Sequence, residues 1–350
     1  MNPAFLDVIR ASSQDKEGLY LSAANRLGTT MQNVEKDFWV CWTLDALFNG
    51  LSAGGPRLLF KGGTSLSKGY GLIARFSEDI DITVFREDIG EAATVAELEA
   101  LSGKRRAARL EAIKTACQAY IRGPLLAALT EIAERTMRET GSDGLRVTLD
   151  EGDPDGQSLL LWYPSVAASP GSYVRPAVKI ESGAKSALDP HRPIGIRPYV
   201  DDDLPTPGAL IVQTVTTVDP ARTFWDKVVI LHGLRRWYER RGELRGGGQR
   251  VSRHYYDIHR LLRSEVGIAA VANLDMAADC VSHARMFFNR SDLDLASAAP
   301  GTFALAPHDG MAAELRRDYA AMATMIFGDI PTFDEVMGSV ADLERMVNQR

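Results

Sequence analysis

The spacing of apolar residues changes its period several times along the chain. Between residues 33 and 50, apolar side chains recur at helical spacing, and most of 265–350 shows the same period. Between Asp79 and Ile82, acidic and apolar residues alternate as they do in a half-buried strand. Together these patterns predict an α/β (α+β) fold. Strand patterns occur at 58–60, 79–82, 145–149, 158–162, 174–181 and 210–218.

Turn and cap residues divide this pattern into predicted domains. The sequence from Asp153 to Gly156 is a strong turn signal and predicts a hairpin between its two flanking strands. Asp219-Pro220 predicts a helix start, since Asp caps helices and Pro suits their first turn. We therefore expect a domain of helices and mixed sheet over 1–215 and a C-terminal helical domain over 216–350.

Composition narrows the class of protein. The 350 residues carry a net charge of −6. The protein therefore lacks the overall basic character of a dedicated nucleic-acid-coating protein. The three cysteines are far apart and form no metal-spaced pair, as expected for free thiols in a reducing compartment. The sequence shows neither a signal peptide nor an apolar run long enough to cross a bilayer. We expect a cytoplasmic protein with no membrane partner.

The predicted strand at 79–82 carries the first candidate chemistry. Side chains at i and i+2 of a strand share a face, so Asp79 and Asp81 project together while Ile80 and Ile82 enter the core. Two adjacent carboxylates repel each other unless a cation offsets their charge. Mg²⁺ is often held by one or two carboxylates together with substrate phosphates. We therefore predict that Asp79 and Asp81 bind one or two Mg²⁺ ions.

A glycine-rich turn precedes this strand and predicts a phosphate-binding loop. Gly62 and Gly63 permit close approach of the backbone to an anion, and the helix start that follows offers free N–H groups. Thr64 and Ser65 are suited either to capping that helix or to donating to phosphate oxygens. Lys61 adjoins the turn and is a candidate phosphate ligand, although a lone lysine is usually a surface residue.

This combination resembles a known family. A glycine turn followed by Asp-x-Asp on the next strand is the signature of the polymerase-β-like nucleotidyltransferase fold. The sequence KGGTSLSK…RFSEDID is similar to that of the AbiEii/AbiGii (MenT-like) family of nucleotidyltransferase toxins. The resemblance implies a mixed sheet flanked by helices, with a C-terminal helical domain that contributes active-site helices. It also implies that an NTP is the substrate and that a separate antitoxin protein is the partner.

The resemblance extends to a third carboxylate and to two later helices. In polymerase-β-like folds a third carboxylate arrives on a later strand, and Glu181 is the candidate here; it is equally an ordinary end of an amphipathic strand. The family's conserved lysine and aspartate correspond to Lys227 and Asp257, and Asp226 departs from the usual glutamate. Without the Asp-x-Asp strand, an interhelical salt bridge would be the simpler interpretation of this pair. Carried over as auxiliary nucleotide-binding candidates are Arg222 and Arg253.

The region 235–260 combines many arginines with aromatic residues. Arginine binds phosphate bidentately and aromatic side chains stack on unpaired bases, so this region is a candidate RNA contact. The alternative is that arginine stems cover aromatic residues of a buried core. Interleaved there are Trp237, Tyr238, Tyr255 and Tyr256.

The resulting hypothesis is a Mg²⁺-dependent nucleotidyltransferase toxin that moves NMP from an NTP to an acceptor hydroxyl. The resemblance points to the 3′ end of tRNA as that acceptor. Transfer to a protein hydroxyl (AMPylation) or to a small molecule uses the same chemistry and stays open. A nucleotide-binding module without catalysis is the third possibility, and the intact Asp79 and Asp81 argue against it.

Overall fold

A computed structural model describes residues 1–167, 175–248 and 250–349. The chain forms two compact units, which we call the sheet unit and the helical unit. The sheet unit comprises Met1–Tyr70, Phe76–Ala93 and Gly103–Val218. The helical unit comprises Gly71–Arg75, Thr94–Ser102 and Asp219–Arg350. Two short segments from the first part of the chain thus belong to the helical unit, which the sequence did not predict.

A seven-stranded mixed sheet forms the centre of the sheet unit, in the order β3-β4-β5-β2-β1-β7-β6. The predicted hairpin is confirmed, because β3 and β4 pair antiparallel. The predicted strand at 174–181 starts at Val174, which lies outside the described residues, and the described strand begins at Ala177. The strands are β1 (Leu58–Lys61), β2 (Asp79–Val84), β3 (Arg146–Leu149), β4 (Ser158–Trp162), β5 (Ala177–Gly183), β6 (His191–Ile196) and β7 (Val212–Val218).

Thirteen α-helices occur in the described parts of the chain. The predicted start at Asp219 is confirmed, because its side chain accepts a hydrogen bond from the Ala221 N–H at 2.9 Å. The helices are α1 (Ala4–Arg10), α2 (Ser13–Leu27), α3 (Met31–Asp45), α4 (Gly62–Thr64), α5 (Val95–Glu99), α6 (Gly103–Tyr120), α7 (Leu126–Thr140), α8 (Pro220–Arg241), α9 (Ser252–Leu261), α10 (Glu265–Ala272), α11 (Leu274–Phe287), α12 (Asp309–Met322) and α13 (Phe333–Asn348).

Helix α3 lies in the interior of the sheet unit. It packs against β2, β5 and β7, and every residue from Val34 to Asp45 is buried. The apolar stripe of this helix explains only part of that burial, because three consecutive charged residues are also removed from solvent. The three charged residues are Glu35, Lys36 and Asp37. Buried charges require partners.

The helical unit is built around α8 and α9. Helix α8 contacts α9, α10 and α11, and α9 also contacts α12 and α13. Trp225 and Tyr255 are among the largest fully buried side chains of the protein and fill this core. Within residues 1–167, 175–248 and 250–349, no helix is both long enough and apolar enough to cross a membrane.

Candidate active site

Strand register brings the predicted metal-binding carboxylates of the sheet unit onto one face. Asp81 pairs with Lys61 of β1 on one side and with Glu181 of β5 on the other. Asp79 pairs with Lys179 of β5. Because directly paired residues of adjacent strands point to the same face of a sheet, all five side chains share one face. The candidate third carboxylate therefore lies beside the Asp-x-Asp pair in the register of the sheet.

The turn after β1 approaches β2 so closely that only glycine fits. Gly62 has a φ of 78°, and a Cβ at this position would overlap the Oδ2 atom of Asp81. Thr64 is fully buried; its hydroxyl lies 2.7 Å from the Ser77 hydroxyl and also donates to the Asp79 carbonyl. The Ser65 hydroxyl donates to the Gly62 carbonyl at 2.9 Å. Both hydroxyls thus tie the turn together, and phosphate binding by Thr64 and Ser65 stays a prediction.

Asp79 lies in an environment that disfavours its negative charge. Burial and the nearby carboxylates of Glu78 and Glu181 raise its pKa to about 6, although the Lys36 ammonium acts in the opposite direction. Asp81 contributes a smaller repulsion to the same carboxyl. A carboxylate with this many negative neighbours is stabilised by any cation that binds beside it. The electrostatics of the cluster therefore suit a cation-binding role.

Glu181 is engaged by a lysine of its own strand. Its Oε1 atom lies 2.8 Å from the ammonium of Lys179, which is also 3.5 Å from Asp150. Among the residues that the structure describes, no group of three or more His, Cys, Asp or Glu side chains converges as metal ligands do. The donor set still fits Mg²⁺, because Asp79 and Asp81 supply oxygen ligands on one face beside the Gly62 turn.

The helical unit contains a second cluster of predicted site residues, centred on Asp257. Both carboxylate oxygens of Asp257 accept hydrogen bonds from the guanidinium of Arg75, at 2.7 and 2.8 Å. The ammonium of Lys227 lies 2.9 Å from the Oδ2 atom of the same carboxylate. Asp257 is completely buried, and both cations are about 5% exposed. The predicted Lys227–Asp257 contact therefore exists, within a buried triad.

The protonation states of this triad follow from its charges. Two cations hold the pKa of Asp257 far below its usual range despite burial, so the group stays a carboxylate. Burial lowers the pKa of Lys227, and the attraction of Asp257 opposes that shift. Burial and the surrounding cations also keep His254 neutral by lowering its pKa. A carboxylate held this firmly by two cations is a poor general base, so the geometry favours an orienting role for Asp257.

Two auxiliary candidates also belong to the helical unit. Arg253 is close enough for its charge to lower the pKa of Lys227. Arg222 is buried and donates to Asp279 of α11, with Asp226 at 3.7 Å. Asp226, where the family more often has glutamate, therefore faces the Arg222 guanidinium along α8. Both arginines stay predictions as nucleotide ligands.

Sequence reasoning missed Arg75 and Lys179. Arg75 stands four residues before Asp79 in the segment ARFSEDID, and its partner Asp257 is 182 positions away. Its position four residues before the Asp-x-Asp strand was the available signal. Lys179 alternates with Val178 and Ile180 on β5, which the sequence showed, but only the register identifies Asp79 as its neighbour.

The arginine-rich region 235–260 is mostly core packing around its aromatic residues. Tyr255 and Tyr256 are fully buried and Tyr238 is 9% exposed, as the alternative interpretation predicts. Trp237 is partly exposed, and the guanidinium groups of Arg241 and Arg245 lie 5.6 and 5.7 Å from its ring. Nucleic-acid contact in this region stays a prediction, with Trp237 and these two arginines as its candidates.

Comparison with known proteins gives one family match. The model of the family described as nucleotidyl transferase AbiEii toxin, type IV toxin–antitoxin system, matches residues 45–339. No curated protein matches the sequence. The nucleotidyltransferase toxin MenT4 from Mycobacterium tuberculosis H37Rv is a similar solved structure, with a TM-score of 0.41 and 15% identity over 96% of this chain and 98% of that chain.

Proposed function

The chain belongs to the AbiEii family of nucleotidyltransferase toxins of type IV toxin–antitoxin systems, and from this premise we propose a specific reaction for it. The protein transfers a nucleoside monophosphate from an NTP to an acceptor hydroxyl, and the acceptor is the 3′ end of tRNA. The hydroxyl oxygen forms a bond to the α-phosphorus, the bond from that phosphorus to pyrophosphate breaks, and the hydroxyl proton passes to solvent. Pyrophosphate is released.

One observation carries the proposal: the paired carboxylates lie against a turn that only glycine can form. Asp79 and Asp81 share a face of β2, and a Cβ at Gly62 would overlap Asp81. Nucleotidyl transfer requires a phosphate-binding turn beside cation-binding oxygens, and this close approach supports assigning those two roles here. A non-catalytic binding module has no need to bring the two together so closely.

The residues of this site divide the work as follows. Asp79 and Asp81 would hold Mg²⁺, with Glu181 as a third ligand once it separates from Lys179. The bound cation would offset charge on the phosphate oxygens. Backbone N–H groups of Gly62 and Gly63 bind the triphosphate, and Lys61, in register with Asp81, contributes its ammonium. Together these groups hold the NTP with its α-phosphate accessible to the acceptor.

Lys227 and Asp257 are a separate part of the proposal, based on the resemblance. Lys227 pairs with developing phosphate charge, and Asp257 orients Lys227 rather than accepting a proton. Arg222 and Arg253 are auxiliary nucleotide ligands. A cognate antitoxin protein neutralises the enzyme, as the toxin–antitoxin description of the family implies. We also propose that the protein acts in the cytoplasm, where NTP and tRNA are available.

A labelling experiment tests the reaction. Purified protein is incubated with total tRNA, Mg²⁺ and each α-labelled NTP in turn, and Asp81→Asn is compared with Asp155→Asn, an exposed aspartate between β3 and β4. We expect label on tRNA that is lost in Asp81→Asn and retained in Asp155→Asn. Label on protein instead of tRNA would replace the acceptor by a protein hydroxyl. The absence of label from every macromolecule would overturn the tRNA acceptor and leave transfer to a small molecule or a non-catalytic nucleotide-binding module.

A further inference from the structure

Two adjacent charged residues of the buried helix α3 contact the two segments that form the candidate site. Lys36 is 4% exposed, and its ammonium lies 2.7 Å from Glu78, the residue directly before Asp79. Asp37 is 3% exposed, and its Oδ1 atom lies 2.8 Å from Lys68, in the turn that follows the Gly62–Thr64 helix. All of these contacts lie within the sheet unit.

The Asp37–Lys68 pair is buried on every side. The ammonium of Lys68 lies 3.6 Å from the centre of the Tyr199 ring, and the Oδ2 atom of Asp37 accepts a hydrogen bond from the Tyr199 N–H at 2.6 Å. Burial raises the pKa of Asp37, while the Lys68 charge opposes that shift. A single lysine is usually a surface residue, but the Lys68 side chain is only 5% exposed. Such a pair gains little net stability, because desolvation offsets most of its attraction.

What buried ion pairs do supply is register. Swapping the partners would bring Lys36 against Lys68 and Asp37 against Glu78, and like charges in a buried site are strongly unfavourable. The order of charges on α3 therefore admits one arrangement of the two segments. One segment leads into Asp79 and Asp81, and the other continues from Gly62 and Gly63.

We propose that Lys36 and Asp37 are positioning residues that fix the phosphate-binding turn relative to the carboxylates of β2. Asp37 fixes the position of the turn Gly62–Gly69 through its contact with Lys68. Lys36 fixes the position of the start of β2 through its contact with Glu78. The kinetic consequences of this inference rest on the proposed function. Its structural consequences rest only on contacts within the sheet unit. Neither residue touches the reacting groups.

The two residues have different expected signatures. Asp37→Asn disturbs the turn that binds the triphosphate, so the KM for NTP rises roughly tenfold, the effect of losing about one good hydrogen bond, while kcat changes less. Lys36→Met displaces the carboxylates, so kcat falls roughly 100-fold, the effect of misplacing a catalytic group by about 1 Å, and more Mg²⁺ is needed for half-maximal rate. Asp37→Glu keeps the charge but lengthens the side chain, and it raises the KM in the same direction.

Glu35 provides a matched control on the same helix. It is 2% exposed and accepts hydrogen bonds from the loop at Ser165, Val166 and Ala167 instead of from the catalytic segments. Glu35→Gln therefore lowers the melting temperature without changing kcat, KM or the Mg²⁺ requirement of the folded protein. A purely structural role for Lys36 and Asp37 would give this same result in their variants.

The experiment combines steady-state kinetics with hydrogen–deuterium exchange on the full chain. We expect faster amide exchange across Gly62–Gly69 in Asp37→Asn and Asp37→Glu, but not in Glu35→Gln. Variants that lose only melting temperature would overturn the inference, as would unchanged exchange in this turn. If the wild type itself releases no pyrophosphate, the proposed function fails, and the exchange comparison alone then decides the inference. Should Lys36→Met not fold, Lys36→Arg tests the same contact with its charge retained.

Discussion

Arg75 binds Asp257 with two parallel hydrogen bonds, from Nε to Oδ1 at 2.7 Å and from Nη2 to Oδ2 at 2.8 Å. Bidentate pairs of this kind combine geometric specificity with strength. The pair connects the short segment Gly71–Arg75 to α9 within the helical unit. Lys227 binds the same carboxylate, so the segment, α8 and α9 meet at a single buried anion.

Removing the guanidinium should destabilise the helical unit. In Arg75→Met, Asp257 keeps Lys227 but loses the guanidinium in a fully buried site, and we expect a loss of roughly 3–5 kcal/mol in the free energy of unfolding. Urea denaturation followed by circular dichroism measures it. Arg57→Met is the control, because Arg57 forms exposed ion pairs of low expected value. Equal losses in the two variants would contradict the special role of the buried pair.

The same carboxylate should make stability depend on pH in the acidic range. Asp257 has a pKa in the folded state that lies below its unfolded value of about 3.9, so its contribution is fully present above that value and is lost as pH falls below it. We expect wild-type stability to decline below about pH 4 more steeply than that of Asp257→Asn. Denaturation midpoints across this range provide the measurement, and parallel curves would contradict the assignment.

Gly62 should be required for activity beyond its effect on stability. Gly62→Ala adds a Cβ at a φ of 78° and against Asp81, whereas Gly54→Ala adds one at a φ of 86° in open space. Both variants carry the cost of a left-handed alanine, about 1–2 kcal/mol. Only Gly62→Ala should lose NTP-dependent transfer, which the labelling assay measures. Comparable activity in the two variants would show that close approach to Asp81 is unimportant.

Glu181 should affect the Mg²⁺ requirement if it is the third ligand. In Glu181→Gln we expect the Mg²⁺ concentration at half-maximal rate to rise roughly 10- to 100-fold, the usual effect of disturbing a metal site. Lys179→Met should lower that concentration, because the ammonium that now engages Glu181 is gone. Glu151→Gln, in the exposed turn between β3 and β4, is the control. An unchanged Mg²⁺ titration in Glu181→Gln would exclude it as a ligand.

Lys227 should contribute to catalysis and not only to folding. Lys227→Met is expected to lower kcat/KM roughly 100- to 1,000-fold, as for loss of a group that stabilises transition-state charge. Asp257 retains Arg75 in this variant, so we expect the variant to fold. Its melting temperature shows whether it is folded at the temperature of the assay. Lys114→Met, which removes an exposed lysine paired with Asp155, is the comparison. Full activity in a folded Lys227→Met protein would reduce the triad to a structural salt bridge.

Sequence periodicity predicted the helices and strands well where local signals are strong. The alternation in 79–82, the turn at Asp153–Gly156 and the cap at Asp219 each depend on a few neighbouring residues, and each corresponds to an element of the structure. The start of α3 was predicted less well: helical spacing was recognised from residue 33, but the helix begins at Met31, and the Thr30 hydroxyl caps it by accepting from the Asn33 N–H. Helix caps shift easily, since several residues near a helix start can accept that bond.

The sequence by itself determined the chemistry of the candidate site: an Asp-x-Asp strand, a glycine turn before it, and the family to which these belong. Periods of two and 3.6 residues and turn preferences are local properties, so they can be read without the fold. Only the tertiary structure decided that Asp81 pairs with Glu181 and that Asp257 binds Arg75 as well as Lys227. It also decided that the charged residues of α3 are buried. Strand order and buried ion pairs join residues far apart in the chain, because they are set by packing and desolvation, which no local pattern encodes.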